Sequence, residues 1–334
     1  MAVVIYPITP SFAAEIGDVD LSCPIGPSDL AAVNEAFAHY AVLIFPDQHL
    51  SQDQHLDFAR HFGPLETTIA LYRKDEALRL RPEFADVSNL NHESKVWGEE
   101  SRQRLFQLGN RLWHTDSSFK RLPARASLLY ARSIPPVGGH TEFADERAAY
   151  DALPEETRRR LEGLVAEHSI FNSRARLGFT NFSDEERQAM PPVPQLLVRS
   201  IPESGRKSLY LASHAGRILG CPSTTAARSS TSLSRTQRNA NSSIRIAGGF
   251  MIWSSGTIAA PCTGELISTI CAGSATCSAR PFPTSRTRAS RKASLSRRRS
   301  KLSRPRPLAG MERPLMSVGW LPPKVTAPPR EWVW

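Results

Sequence analysis

Apolar positions in the first two thirds of the chain follow two periods. Leu30, Val33 and Phe37 recur at three- and four-residue steps, which puts them on one helical face and predicts an amphipathic helix over roughly residues 29–39. The unbroken apolar run Ala41-Val42-Leu43-Ile44-Phe45 reads as a strand covered on both faces and is closed by Pro46-Asp47. Ser51 stands as an N-cap before a second helix in which Leu56, Ala59 and Phe62 share a face, and Gly63-Pro64 stops it. Strands are predicted at about 14–21, 86–90 and 125–134, helices at about 146–153 and 154–165, and a short helix beginning at Ser183. Leu196 to Val198 and Ser208 to Leu211 read as a hairpin around Glu203-Ser204-Gly205-Arg206.

Near Cys221 the pattern stops, and charge changes with it. The whole chain of 334 residues has a net charge of +10, but residues from Cys221 onward hold 18 Arg and Lys against 3 Glu. Residues 1–220 are slightly acidic, with 24 basic and 29 acidic side chains. All nine His lie in that front region and four of the five Cys lie in the tail. On composition alone the tail, residues 221–334, is a disordered basic segment. No apolar run reaches the ~18 residues a membrane span needs. The N-terminal stretch has no basic residue before its apolar positions, unlike a signal peptide, so a cytoplasmic protein is expected.

The candidate chemistry sits at His114 and Asp116. Two residues apart on an extended segment, their side chains point the same way and can grip one metal ion. With a distant second His they would form the facial triad of non-haem Fe(II) oxygenases. The longer string Gly109-Asn110-Arg111-Leu112-Trp113-His114-Thr115-Asp116-Ser117-Ser118-Phe119 resembles the metal-binding segment of the Fe(II)/2-oxoglutarate dioxygenases related to taurine dioxygenase and 2,4-dichlorophenoxyacetate dioxygenase. Val42 to Gln48, Ser51 to Gln54 and Phe62-Gly63-Pro64-Leu65-Glu66 resemble the same family.

The resemblance covers about residues 1–220 and implies an α+β fold, a double-stranded β-helix or jelly roll with flanking helices, incomplete at its C-terminal end. It implies Fe(II) as cofactor and 2-oxoglutarate as co-substrate, with O2 and a small molecule as the other reactants. Thr141, in Gly138-Gly139-His140-Thr141, matches the family threonine that binds a 2-oxoglutarate carboxylate. Read without the resemblance, Thr141 is a strand threonine, and His140 is a turn residue either way. Lys95 falls where relatives acting on acidic substrates place a cation, although a solvated surface lysine is its plainer reading. His214 falls where relatives bring a His toward the substrate carboxylate, and a strand-end histidine is its plainer reading. A phenoxyalkanoate is the substrate class implied, a taurine-like alkylsulfonate the alternative. A homo-oligomer is compatible with the resemblance.

The second His of the triad should follow well downstream, yet the chain has no His after His214. The genetic code offers a reason. Phe250-Met251-Ile252-Trp253 requires TTY-ATG-ATH-TGG, and reading from the third base of each codon gives His or Tyr, then Asp, then Leu or Met. Extended from Gly249 to Gly264, permitted codons give Val-His-Asp-Leu-Val-Ile-Trp-Asp-Asn-Arg-Gly-Thr-Met-His-Arg-Gly, the family's C-terminal strand motif with its metal-binding His. The same shift permits paired Arg within 270–284, where the family anchors 2-oxoglutarate. The tail therefore reads as a shifted frame, and the chain as written is expected to be inactive and poorly folded. Two other readings stand beside it. One is a remnant with a basic, nucleic-acid-binding tail, the weaker of the two partner readings. The other is zinc at Cys262, Cys271 and Cys277, whose spacings match no usual pair.

Overall fold

The computed structural model describes residues 2–72, 77–133 and 141–220, together with the backbone of four stretches of the tail, 243–246, 250–254, 257–260 and 265–272. Strands β1 (Val4–Pro7) and β2 (Ala13–Gly17) lead into helix α1 (Pro27–Tyr40). Proline in the first turn suits α1, because the first amide protons have no partner inside a helix. Ala41 ends it in a left-handed conformation, returning its N–H to the Phe37 carbonyl. Strand β3 (Val42–Phe45) and helix α2 (Gln52–Arg60) follow. Ser51 caps α2 as expected, in a reciprocal capping box with Gln54.

Strand β4 (Phe84–Val87), helix α3 (Arg102–Gln107), strand β5 (Ala124–Ser133), strand β6 (Thr141–Asp145) and helix α4 (Glu146–Asp151) come next. The helix predicted over 154–165 is shorter. Helix α5 (Glu155–Leu161) ends where Gly163 turns left-handed (φ 77°), and Val165 already begins strand β7 (Val165–His168). Helices α6 (Ile170–Ala175) and α7 (Asp184–Ala189) precede strands β8 (Val193–Leu196), β9 (Val198–Ser200), β10 (Lys207–Leu209) and β11 (Ala215–Ile218). β9 and β10 are the predicted hairpin.

Four stretches of the basic tail, for which composition predicts no regular structure, run as strands. They are β12 (Ser243–Ile246), β13 (Phe250–Ser254), β14 (Thr257–Ala260) and β15 (Glu265–Ala272). The rest of the tail, including Cys262 and Cys277, and the Gly138-Gly139-His140 turn lie outside the described residues.

The main sheet has seven strands in the order β1-β2-β3-β13-β5-β15-β4. A three-stranded sheet, β12-β6-β14, accompanies it, so β5 and β6 are each flanked on both edges by tail strands. Every residue of β3 is buried because both faces are covered. Leu43 and Phe45 pack with Val33 and Phe37 of α1 and Phe58 of α2, while Val42 and Ile44 pack with Leu129 and with Phe143 of the smaller sheet. The layers are therefore helices, main sheet and second sheet, in line with the expected α+β jelly roll. No helix among the described residues is long and apolar enough to cross a membrane.

Candidate active site

A cavity of about 190 Å³ opens beside the second sheet, and His114, Asp116, Thr141, His214, Asn110 and Arg174 are among the residues lining it. His114 and Asp116 sit on the connection between α3 and β5. The backbone ties this connection to the segment before β11, for Ser213 donates its N–H to the Trp113 carbonyl (3.0 Å) and Thr115 Oγ1 donates to the Leu211 carbonyl (3.4 Å). After Asp116 the chain turns through Ser117, which is left-handed (φ 57°). Glu66 secures that turn, since one of its carboxylate oxygens accepts from Ser117 Oγ (2.9 Å) and from Lys120 Nζ (2.6 Å).

The two candidate ligands converge. His114 Nδ1 lies 2.7 Å from the Leu112 carbonyl, which can only accept, so Nδ1 donates there and Nε2 is the ring nitrogen that faces the cavity partner. That Nε2 is 3.4 Å from Asp116 Oδ1. The other carboxylate oxygen of Asp116 accepts from Ser127 Oγ of β5 (2.8 Å), which leaves Oδ1 facing His114. A neutral imidazole nitrogen and a carboxylate oxygen held this way suit a divalent metal, with outer partners fixing both. They make two ligands of a triad. Among the described residues, no three His, Cys, Asp or Glu side chains converge on one point.

Thr141, buried at the start of β6, lines the cavity, and its backbone pairs with Ile246 of β12. His214 is buried in the wall, its ring centroid 5.9 Å from that of His114 and 5.0 Å from Phe119. Burial, with the neighbouring His114 second, holds the His214 imidazole well below its ordinary range, so it stands neutral. Lys95 is placed elsewhere. It is 75% exposed, pairs with Glu93 at 2.8 Å and is not among the lining residues.

Two residues escaped the reading of the sequence. Glu66 closes the string Phe62-Gly63-Pro64-Leu65-Glu66, and nothing in its spacing marks it as the brace of the metal loop. Arg174 lies in α6, a six-residue helix with no pattern of its own, and reaches the cavity only because α6 packs beneath the metal loop.

Comparison with known proteins bears on this geometry. A profile described as "Taurine catabolism dioxygenase TauD, TfdA family" matches residues 5–246. The chain is 44% identical over 222 residues to an alpha-ketoglutarate-dependent 2,4-dichlorophenoxyacetate dioxygenase of Cupriavidus pinatubonensis, a match covering 66% of this chain and 77% of the relative. It is 37% identical over 224 residues to an (S)-phenoxypropionate/alpha-ketoglutarate-dioxygenase of Sphingobium herbicidovorans, covering 65% of this chain and 72% of the relative. The crystal structure of AAD-2 in complex with Mn(II) and N-oxalylglycine superposes with a TM-score of 0.77 at 38% identity, covering 82% of this chain and 98% of the other.

Proposed function

This chain belongs to the TauD/TfdA family of dioxygenases, and on that footing we propose that its cavity is the site of Fe(II)- and 2-oxoglutarate-dependent oxygenation of a small carboxylate, with phenoxyalkanoates as the substrate class. The observation that carries the reading is the convergence of His114 Nε2 and Asp116 Oδ1 inside a cavity that Thr141 also lines. Relatives named for 2,4-dichlorophenoxyacetate and phenoxypropionate favour an aryloxy acid over a sulfonate.

When bound, iron and its co-substrate supply the activation of O2 and the oxidation of a substrate C–H bond. The chain's own residues supply position. His114 and Asp116 would hold the metal. Leu112 fixes the tautomer of His114, and Ser127 fixes the rotation of Asp116. Thr141 would donate its hydroxyl to a co-substrate carboxylate. The buried wall beside His214 excludes water from the reacting end.

The chain as written brings only part of this machinery and does not turn over. Its third metal ligand and the arginine for 2-oxoglutarate lie in a frame that the tail no longer reads, so residues 1–220 are the dioxygenase domain proper and 221–334 the frameshifted part. Sequence identity to the two relatives spans 65–66% of the chain, whereas the structural overlay spans 82%, in keeping with a tail that follows the family's path without its residues.

Purified protein supplied with Fe(II), 2-oxoglutarate and 2,4-dichlorophenoxyacetate should form no succinate. A gene whose frame is restored by one base near codon 221 should form succinate in step with substrate loss. Succinate from the chain as written overturns the inactive reading, and none from the restored protein overturns the dioxygenase reading.

A further inference from the structure

We propose that Trp97 is the aryl-selecting residue of this cavity, the side chain that tells an aromatic ring from an alkyl group of similar bulk. The inference rests on the reading of the cavity as an aryloxy-acid site and adds to it the residue that would recognise the ring.

Phe84, Trp97, Phe106 and Phe119 are the aromatic side chains among the described residues that line the cavity. Three of them already pack into the protein. Phe84 is buried with Leu56, its ring 5.3 Å from that of His55. Phe106 is buried edge-on to Phe179 and Phe182, at 5.9 and 6.3 Å, and Phe119 packs against the same cluster and lies 5.0 Å from His214. Trp97 differs. It is half-buried on the cavity wall, and among the described residues it belongs to none of the buried clusters. A large flat apolar side chain in a concavity, outside the core, is what a ring-bearing ligand would cover.

The backbone holds Trp97 in place. Its N–H donates to the Asn89 carbonyl (2.9 Å), and Leu90 and Val96 form an antiparallel bridge inside that pair. Asn91 closes the turn between them. Its side-chain oxygen accepts from the N–H groups of Glu93 (3.0 Å) and Lys95 (2.9 Å), and its own N–H donates to the Lys95 carbonyl (2.8 Å). Ser94 completes the reversal in a left-handed conformation (φ 62°). This small hairpin gives the cavity Leu90 and Trp97 and gives solvent Lys95 and Val96. It therefore meets the apolar end of an aryloxy acid and leaves the carboxylate to another wall. An indole on a closed hairpin has two side-chain torsions to fix, so it loses little freedom when a ring stacks on it. Its face is electron-rich, which favours an offset or edge-on aromatic partner, whereas an alkyl ring gains burial alone.

The test is calorimetric titration of the purified full chain with phenoxyacetate and with cyclohexyloxyacetate, which keeps the carboxylate and the ring size and lacks the π system. The ratio of the two affinities should fall by about two- to tenfold in Trp97→Leu, through weaker phenoxyacetate binding, and Trp97→Phe should keep most of it. Because Trp97 lies outside the buried clusters, Trp97→Leu should melt within a few degrees of wild type. The proposal is overturned if the ratio is unchanged in Trp97→Leu, if both affinities fall together, if wild type binds neither acid, or if Trp97→Leu loses its cooperative melt and so proves Trp97 a core residue. Succinate formation by the frame-restored protein reports on the underlying reading separately. Turnover with a ratio indifferent to Trp97 sinks the aryl selection alone, and a Trp97-dependent ratio without turnover keeps the aryl selection and sinks the oxygenase.

Discussion

The front of the molecule and its tail meet at the same two strands and contribute different things. β5 carries Ser127, which steadies Asp116, and β6 begins with Thr141; both belong to the front. Their neighbours belong to the tail, β13 and β15 on either side of β5, and β12 and β14 on either side of β6. The front fixes its loop with particular side chains, Glu66 on Ser117 and Lys120, Leu112 on His114. The tail contributes ladders of backbone hydrogen bonds, which tolerate many sequences. Pairing asks for an extended backbone, whereas a metal site asks for an imidazole at one position.

The harshest way to break this comparison is to delete the tail after residue 220. β5 would lose the partners of Ala126–Tyr130 in β13 and all its pairing with β15, and β6 would lose both edges. Such a loss exceeds the ~5–15 kcal/mol that holds a typical domain together. The truncated protein should show no cooperative thermal transition by circular dichroism. If it melts cooperatively within a few degrees of the full chain, the tail strands contribute nothing and the sharing of labour is wrong.

A smaller blow sharpens the other side. Asp145 and Arg147, 1% and 2% exposed, form a buried fork with Nε–Oδ1 at 2.9 Å and Nη2–Oδ2 at 3.0 Å. Arg147 also donates to the carbonyls of His39 (3.1 Å) and Ser11 (2.8 Å), tying the end of β6 to the N-terminal segment. Arg147→Ala would leave the buried Asp145 carboxylate with Arg206 at 4.0 Å and the backbone N–H of residue 147, and should lower unfolding stability by up to about 3–5 kcal/mol in urea titrations. A loss below about 1 kcal/mol, the usual worth of an exposed pair, would mean that the front is not specified by its side chains in the way described.

What could be read from the sequence divides along the same line. The Ser51–Gln54 cap, the two-sided run of β3 and the two-residue spacing of His114 and Asp116 are local patterns, and each has its structural counterpart. Arg174 and Glu66 have no local pattern, since each reaches the metal loop from an element packed against it. Lys95 shows the converse, a position that resemblance marks and that the fold turns outward onto Glu93. The overlong helix at 154–165 failed for a local reason, since leucine and valine continue its apolar face but Gly163 reverses the backbone. The tail strands were illegible because composition reports what a segment prefers alone and not what two waiting strand edges impose on it.

The mildest test uses acid, which separates the two regions because all nine histidines lie in the front. His55, 1% exposed against Phe84 and Tyr130, is held neutral by burial at a pKa of about 3. His168, fully buried and stacked on Tyr210, is also at about 3, through burial first and the nearby Arg199 second. In the unfolded chain both return to about 6.5. Each depressed value therefore contributes stability that is fully present above pH 6.5 and is lost as pH falls toward 3, because only the unfolded state takes up the proton in that window. Between pH 6 and pH 4 each histidine should cost up to about 1.4 kcal/mol per pH unit. Urea midpoints at pH 7, 6 and 5 should fall in step, and His168→Gln should flatten part of that slope while lowering stability at pH 7. An unchanged slope would place the acid response elsewhere. The tail has no histidine or aspartate and only three glutamates, so its own strands offer little that titrates in this range.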